Sequence, residues 1–306
     1  MREITDLRNP TDFGGLTIRE LPLILSYHKI DPRFEWGITW VTPAQFERQM
    51  AFLHEWGVEA VPVADWGMNP HRKGAKSAKK DNTGGVKCSA PFASLRCENP
   101  KSPIDKPIAL GFEDAYTSVY EYAWPIMERY GFRGTLFVVA GYVGIENQWD
   151  ANFGGRRFWH LNWKELKALS AAGWEIGSHT WSHRDLTALR TDEWTRELRD
   201  SKRVLEDRIG VSVDALSYPF GRYDDRVRDA AMEAGYRMGC AFFPRRDDSF
   251  TVAQTAIYRM DTMLDFKAKA TGNVLSGLER FRGRLINSLA MGTPVMQRLG
   301  IVRRET

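Results

Sequence analysis

The fold is decided by residues 174–183, WEIGSHTWSH, where an apolar-ended strand pattern runs directly into two histidines. His179 and His183 lie four residues apart, immediately after the predicted strand at 174–176. This spacing puts both imidazoles on one face of a helical turn, where they can bind one metal ion. The stretch therefore predicts a metal site at the end of a strand.

A second strand pattern, at residues 108–112, ends in the carboxylates Glu113 and Asp114. Barrels and open α/β sheets place their chemistry at the ends of strands. Two histidines and one carboxylate form a common catalytic zinc set, which leaves one coordination position open for water. We therefore expect a carboxylate of this pair to join the histidines.

Short apolar runs alternate with helical patterns along most of the chain, which is typical of parallel strands joined by helices. We predict an α/β fold, a distorted (β/α) barrel of about seven strands that occupies residues 1–265. The predicted strands are residues 21–27, 58–63, 108–112, 134–140, 174–176, 215–218, 236–240 and 257–260. The predicted helices are residues 43–56, 116–130, 163–172, 192–209 and 225–234, the first opened by Thr42 and Pro43.

Two segments stand apart from this pattern through their charge. Residues 68–107 carry nine Lys and Arg against three Asp and Glu, and their Gly, Ser and Pro content predicts a flexible surface insertion. Residues 266–306 form a tail with eight Lys and Arg against two Asp and Glu. Apolar residues at three-to-four spacing over 273–291 predict an amphipathic helix docked on the core or on a partner. The alternative is a helix that lies in a membrane interface.

The bulk composition narrows the class of protein. The chain has 306 residues, of which 43% are hydrophobic and 27% charged, as in an ordinary globular protein. Its start shows no leader pattern and no run of about 18 apolar residues occurs, so we expect a cytoplasmic protein or one whose leader has been removed. The basic residues form no motif that reads nucleic acid. Cys88, Cys97 and Cys240 imply no disulfide framework, although the first two share a segment and could pair.

Three short motifs make the chain resemble the polysaccharide deacetylase (NodB-homology) family, also called carbohydrate esterase family four. The first motif is the acidic pair that ends a strand, and the second is the histidine stretch at 179–183. The third is the run YPFG at 218–221. The resemblance implies that Asp114, His179 and His183 bind one divalent metal ion. Zinc is expected first, with cobalt, iron or nickel as alternatives.

The position of the catalytic acid points to a branch of this family. No histidine follows His183, whereas the first predicted strand ends in Ser26-Tyr27-His28. This arrangement resembles the circularly permuted branch that includes biofilm poly-N-acetylglucosamine deacetylases, as does the segment at 41–50. The resemblance implies that His28 is the acid.

The resemblance also implies a role for each group in amide hydrolysis. Glu113 would take the proton of water as general base, and His28 would protonate the departing amine. The backbone N–H of Tyr218 would donate to the oxyanion. Four aromatic side chains would offer a flat apolar surface to a sugar ring: Trp159, Trp181, Phe220 and Tyr223.

The expected activity is metal-dependent removal of N-acetyl groups from an N-acetylhexosamine-containing glycan or a sugar-lipid, the latter at the inner membrane face. Two departures from the family leave alternatives open. The base is normally an aspartate, one methylene shorter than Glu113. The arginine that normally orients it is replaced by Ser217, and Arg222 and Arg259 are the candidates to substitute for it. The alternatives are a carbohydrate-binding protein that keeps the metal without turnover, and an O-acetyl esterase.

Overall fold

A computed structural model describes residues 23–35, 37–58, 60–64, 108–148, 157–242 and 248–272. In chain order, the strands are Leu23–Tyr27 (β1), Lys29–Ile30 (β2), Trp40–Val41 (β3), Ile108–Phe112 (β4), Thr135–Val138 (β5), Glu175–Ser178 (β6), Ala215–Ser217 (β7), Met238–Ala241 (β8) and Val252–Ala256 (β9). β2 and β3 pair with each other, and the other seven strands close into a barrel in the order β1-β4-β5-β6-β7-β8-β9. The predicted barrel of about seven strands is confirmed.

The first strand closes this barrel. β1 pairs with β4 on one side, where Ser26 lies opposite Gly111, and with β9 on the other, where Ile24 lies opposite Gln254. Every barrel pair is parallel, so the carboxyl ends of the strands lie at the same rim. A segment from the start of the chain is thereby built into the rim that carries the motif residues.

Helices cover the outside of the barrel. They are Pro43–Glu55 (α1), Trp124–Arg129 (α2), Trp163–Ala171 (α3), Thr191–Trp194 (α4), Ser201–Ile209 (α5), Asp225–Glu233 (α6) and Met263–Ala270 (α7). The start of α1 is set locally, because Thr42 accepts a hydrogen bond from the Gln45 N–H at 3.2 Å and Pro43 opens the first turn. Two π-helical turns interrupt the helical layer, Val119–Ala123 before α2 and Thr195–Asp200 between α4 and α5.

The barrel interior is filled around the fully buried ring of Phe137. This ring faces glycines on two strands. A Cβ on Gly177 would come within 2.8 Å of Phe137 Cδ1, and one on Gly111 within 3.3 Å of Phe137 Cε2. The large ring therefore needs both glycines, and the barrel is a packed core instead of a pore.

A larger apolar cluster lies between the strands and the helices. Phe46 of α1 packs edge-on against Tyr27 of β1, with ring centres 5.0 Å apart. Phe266 of α7 is fully buried in the same cluster, so the first residues of the predicted tail pack on the barrel. Lys269 Nζ lies 2.7 Å from Asp261 Oδ2 in a buried ion pair that ties α7 to the preceding turn.

The predicted strand at 58–63 is reduced to a single bridge between Ala60 and Ile108. The next backbone donors are taken by side chains, since the Val63 N–H donates to Thr135 Oγ1 at 3.0 Å. A strand cannot continue where its ladder donors are used in this way. The apolar residues at 58–63 therefore predicted a strand where the structure has a single bridge.

Two other predicted elements also differ. The closing strand is Val252–Ala256 and not 257–260, because the chain turns at Tyr258, whose N–H donates to the Asp261 carboxylate at 2.8 Å. The helix predicted at 192–209 is present, but Thr195–Asp200 within it is π-helical.

Several predictions lie outside the described residues. These are the basic insertion at 68–107, the amphipathic stretch at 273–291, and Cys88 with Cys97. The division of the chain at residue 265 stays a prediction. Within the described part of the chain, the helices are too short or too polar to cross a membrane.

Candidate metal centre and active site

The candidate site lies at the carboxyl ends of the barrel strands. β4 leads into Glu113 and Asp114, β6 into His179, and β1 into His28. Because the strands are parallel, residues that are distant in sequence meet at one rim. The Glu113 N–H donates to the Tyr27 carbonyl at 2.7 Å, which ties the ends of β4 and β1 together.

The two histidines lie in a loop, so the helical turn predicted from their spacing is wrong. Thr180 and His183 have φ angles of 68° and 55°, in the left-handed region that residues other than glycine rarely adopt. The buried carboxylate of Glu197 accepts hydrogen bonds from the Trp181 and Ser182 N–H groups at 3.1 and 2.9 Å, and from the Ser182 hydroxyl. The Glu197 carboxylate, which lies later in the chain, therefore accepts from backbone N–H groups that would donate to carbonyl oxygens in a helix.

Asp114, His179 and His183 are buried together, and their ligand atoms all lie within 4.8 Å of one another. Asp114 Oδ1 is 3.7 Å from His179 Nε2 and 3.6 Å from His183 Nε2. Two ligands held tetrahedrally at about 2.1 Å from a zinc ion lie about 3.4 Å apart. The spacing and the donor types of this metal cluster, as we call the three residues, fit a divalent transition metal.

Both imidazoles are in the state that ligation requires. His179 Nδ1 lies 2.8 Å from the Ser217 carbonyl oxygen, so Nδ1 carries the donated hydrogen and Nε2 turns its lone pair to the cluster. Burial lowers the pKa of His179. Burial, with a smaller effect of neighbouring histidines, lowers the pKa of His183 well below its ordinary value. Both rings are therefore neutral at pH 7, which is the form that binds metals.

The position of Asp114 is set through its backbone. His160, to which the sequence assigned no catalytic role, donates from Nδ1 to the Asp114 carbonyl oxygen at 2.7 Å and stacks on Tyr116 with ring centres 4.8 Å apart. Strained φ angles persist where the surroundings over-determine them, and they cluster at active sites. Five described residues other than glycine have positive φ, all in segments that follow β4, β6 or β7: Asp114, Ala115, Thr180, His183 and Phe220.

The two carboxylate oxygens of Glu113 have different surroundings. Oε1 accepts hydrogen bonds from Ser26 Oγ at 3.1 Å and from Gln254 Nε2 at 2.9 Å. Oε2 is buried with no hydrogen-bond partner in the described part of the chain, and it lies 3.4 Å from His179 Nε2. Burial raises the pKa of Glu113 to about 7, against the opposing effect of hydrogen bonding by the side chains of Ser217, Ser26 and Gln254. A carboxyl group with a pKa near neutrality suits a general base.

The groups that hold Glu113 are not the arginines expected from the sequence. Arg222 pairs with Asp185 at 2.8 Å, and the Arg259 guanidinium lies over an aromatic ring, 5.2 Å from its centre. These contacts place neither arginine beside Glu113, and Gln254 of β9 donates to its Oε1 instead. The sequence held one weak signal of this, a lone amide side chain within the small and apolar run at 250–257.

His28, the predicted acid, faces the metal cluster. It is close enough to His179 and His183 for their charges to interact, and its ring stacks on Phe242 at 6.4 Å. Burial lowers the pKa of His28 to about 3, and His179 and Lys29 add to this effect. The imidazole is therefore neutral at pH 7 in this arrangement.

The Tyr218 N–H, predicted as an oxyanion donor, donates to the Cys240 carbonyl at 3.1 Å. This hydrogen bond belongs to the pairing of β7 with β8, so the group is not offered to a ligand in this arrangement. The oxyanion role of this N–H stays a prediction.

The four predicted sugar-contacting aromatics differ in accessibility. Trp159 is 47% exposed. Phe220 is partly exposed, and its ring lies 4.7 Å from that of a cluster histidine. Trp181 is partly buried beneath an arginine guanidinium 5.4 Å from its ring centre. Tyr223 is 9% exposed and stacks on a tyrosine, which leaves little of its ring for a sugar.

Comparison with known proteins bears on the family resemblance. The polysaccharide deacetylase family model matches residues 101–239. YxkH of Bacillus subtilis (strain 168), whose name places it among the polysaccharide deacetylases, is 30% identical over 152 residues, 50% of this chain and 50% of that protein. The poly-beta-1,6-N-acetyl-D-glucosamine N-deacetylase of Staphylococcus aureus (strain MRSA252) is 27% identical over 139 residues, 42% of this chain and 46% of that protein. The chain thus spans about half the length of the curated relatives it matches.

Solved structures share the fold. The Streptococcus pyogenes deacetylase PplD, solved in complex with acetate, matches with a TM-score of 0.62 at 20% identity, over 82% of this chain and 98% of that chain. At this identity the likeness shows the fold alone. The matching family model and the named relatives confirm the resemblance that the three motifs carry. The similarity to the polysaccharide deacetylase family therefore spans residues 101–239 of this chain, the part that holds the acidic pair, the histidine stretch and the YPFG run.

Proposed function

We propose that this chain is a metal-dependent hydrolase that removes N-acetyl groups from an N-acetylhexosamine-containing glycan. One observation carries the proposal, a buried carboxylate beside the metal cluster, with Glu113 Oε2 3.4 Å from His179 Nε2. The name of the Staphylococcus aureus relative supports a β-1,6-linked N-acetylglucosamine polymer as the first substrate to test. A sugar-lipid with the same acetamido group is the second.

Asp114, His179 and His183 would hold the ion. When bound, a divalent ion supplies Lewis acidity, which lowers the pKa of a coordinated water and polarises the acetyl oxygen. Zinc is the first candidate for two neutral imidazoles and a carboxylate, with cobalt, iron or nickel as alternatives.

The proton transfers fall to Glu113 and His28. Glu113 accepts the proton of the attacking water at Oε2, the oxygen that is not anchored. The C–N bond of the amide then breaks, and His28 delivers a proton to the departing amine. Because His28 is neutral without substrate, it must take this proton from solvent before the C–N bond breaks, and Glu113 afterwards returns the proton of the attacking water to solvent. The negative charge that develops on the acetyl oxygen favours the gain, since a nearby anion raises the pKa of an imidazole.

The test is acetate release by protein that has been freed of metal and reloaded with Zn²⁺ or Co²⁺. The substrates are β-1,6-linked and β-1,4-linked N-acetylglucosamine oligomers, with an O-acetylated glycan alongside. We expect acetate from an N-acetylated oligomer only when metal is present. Asp114→Asn should lose both metal and activity, whereas Asp192→Asn, at an exposed acidic residue on α4, should keep both.

The other outcomes separate the alternatives. Acetate from the O-acetylated glycan alone would make the protein an esterase. Metal and glycan binding without acetate release would make it a carbohydrate-binding protein that has kept its metal. Either result contradicts the proposal.

The cellular location is a separate proposal. We place the protein in the cytoplasm, with its tail at the inner membrane face. Deletion of residues 273–306 should then shift the protein from the membrane fraction to the soluble fraction, and an unchanged partition would contradict the tail contact.

A further inference from the structure

We propose that Gln254 and Ser26 are positioning residues that hold the Glu113 carboxylate off the metal ion, so that it serves as a base and not as a fourth ligand. The inference rests on the proposed function, because it concerns the same site. It assigns a task to two residues to which the family resemblance gave none.

Glu113 is close enough to the metal cluster to join it. Its Oε2 lies 3.4 Å from His179 Nε2, whereas Asp114 Oδ1 lies 3.7 Å from the same nitrogen. Distance to His179 therefore does not distinguish a ligand carboxylate from a base carboxylate. The distinction matters because catalytic zinc sites keep a position open, whereas four protein ligands close a site.

Hydrogen bonding at Oε1 provides the distinction. Ser26 Oγ and Gln254 Nε2 both donate to this oxygen, at 3.1 and 2.9 Å. Hydrogen bonds to an ionised carboxylate are of the stronger kind. Both donors are buried and stand on barrel strands, β1 and β9, so their positions are set by the barrel and not by a loop. The anchored Oε1 limits how far Oε2 can move.

Ser217 connects this anchor to the metal cluster. Its hydroxyl donates to Gln254 Oε1 at 3.4 Å, which orients the amide so that Nε2 faces Glu113. Its carbonyl oxygen accepts the hydrogen bond from His179 Nδ1 at 2.8 Å. One residue of β7 thus orients both a candidate ligand and the side chain that holds the base. Neutral donors thereby replace the family's arginine around a carboxylate that is one methylene longer.

The test removes the hydrogen bond from Gln254 to Glu113 while keeping the volume of the side chain at position 254. Gln254→Met removes the amide donor. Gln49→Met is the matched control, because Gln49 is a fully buried glutamine on α1 that accepts a hydrogen bond from Tyr27 Oη at 2.9 Å, away from Glu113. Each variant is loaded with Co²⁺, whose visible absorption reports the number of ligands, and Zn²⁺ affinity is measured by competition with a chelator.

We expect Gln254→Met, but not Gln49→Met, to change the Co²⁺ absorption to that of an ion with an additional ligand. Its Zn²⁺ affinity should rise by about tenfold, within the range over which outer residues tune metal sites. In acetate release, kcat should fall by up to roughly 100-fold with little change in KM, because a displacement of about 1 Å in a catalytic group can cost that much.

Unchanged Co²⁺ absorption and Zn²⁺ affinity in Gln254→Met would overturn the inference, whatever the activity. Failure of the unsubstituted protein to release acetate would count against the proposed function alone. The two failures are distinguishable because the metal measurements need no turnover.

Discussion

Glu197 is predicted to hold the histidine loop, so its removal should weaken both the fold and metal binding. Its carboxylate is buried and accepts from the Trp181 and Ser182 N–H groups at 3.1 and 2.9 Å. Hydrogen bonds to a charged group contribute about 1.5–3 kcal/mol each, and alanine would leave these donors without their acceptor. We therefore expect Glu197→Ala to lower the free energy of unfolding by about 3–5 kcal/mol.

The strained backbone of the loop explains why the loss of Glu197 should also weaken metal binding. Thr180 and His183 occupy the left-handed region, which costs roughly 1–2 kcal/mol for each residue that is not glycine. Without Glu197, the loop can relax to ordinary backbone angles and take His183 away from the metal cluster. The Kd for Zn²⁺ should then rise by roughly 10–100-fold, the usual effect of losing a group that orients a ligand.

Urea unfolding of the metal-free protein measures the loss of stability, and competition with a chromophoric chelator measures the Kd. Asp192→Ala is the control, because Asp192 is exposed on the preceding helix and pairs with Arg190 at 3.1 Å. Loss of such a surface pair costs at most about 1 kcal/mol. If Glu197→Ala matched Asp192→Ala in stability and bound Zn²⁺ normally, the carboxylate would not hold the loop and the reasoning would be refuted.

Three further outcomes are expected. Gly177→Ala should lower the free energy of unfolding by roughly 1–3 kcal/mol, because its Cβ would come within 2.8 Å of Phe137; an unchanged urea midpoint would contradict the packing. Burial raises the pKa of the Cys240 thiol well above its ordinary value of 9.0. The contribution of the protonated thiol to the free energy of unfolding is therefore complete below pH 9.0 and is lost as the pH rises toward the pKa of the folded state. Urea unfolding at a series of alkaline pH values should therefore show a shallower loss of stability in Cys240→Ala, and equal slopes would argue against this burial. Lys269→Met should lower the free energy of unfolding by about 3–5 kcal/mol, because it removes the counter-charge of the buried Asp261. Adding Asp261→Asn should recover part of this loss. A thermal midpoint equal to that of the unsubstituted protein would show that the pair is dispensable.

Local sequence patterns predicted the barrel and the strand ends at which the metal cluster lies, and the family resemblance singled out Asp114 from the acidic pair. Alternating apolar runs predicted parallel strands, whose carboxyl ends share one rim. Residues placed directly after strands, such as Asp114 and His179, were therefore expected to meet, and the structure brings them together. Position at a strand end is a local property, so no knowledge of long-range contacts was needed.

Local patterns failed where the partner of a group lies far along the chain. The helical turn predicted at 179–183 is a loop, because Glu197 supplies acceptors from a later element. The arginine expected beside Glu113 is replaced by Gln254, 141 residues away in sequence. The Tyr218 N–H, which the motif suggested for the oxyanion, donates to the Cys240 carbonyl, a partner that the motif does not indicate.

The sequence by itself determined the fold class and the residues at the metal rim, because periodicity and motif spacing depend on neighbours along the chain. Only the tertiary structure decided how Glu113 is held, with Oε1 anchored and Oε2 turned toward His179. The physical reason is register. The alignment of β1, β7 and β9 around the closed barrel brings Ser26, Ser217 and Gln254 together around one buried carboxylate, and no local pattern encodes that alignment.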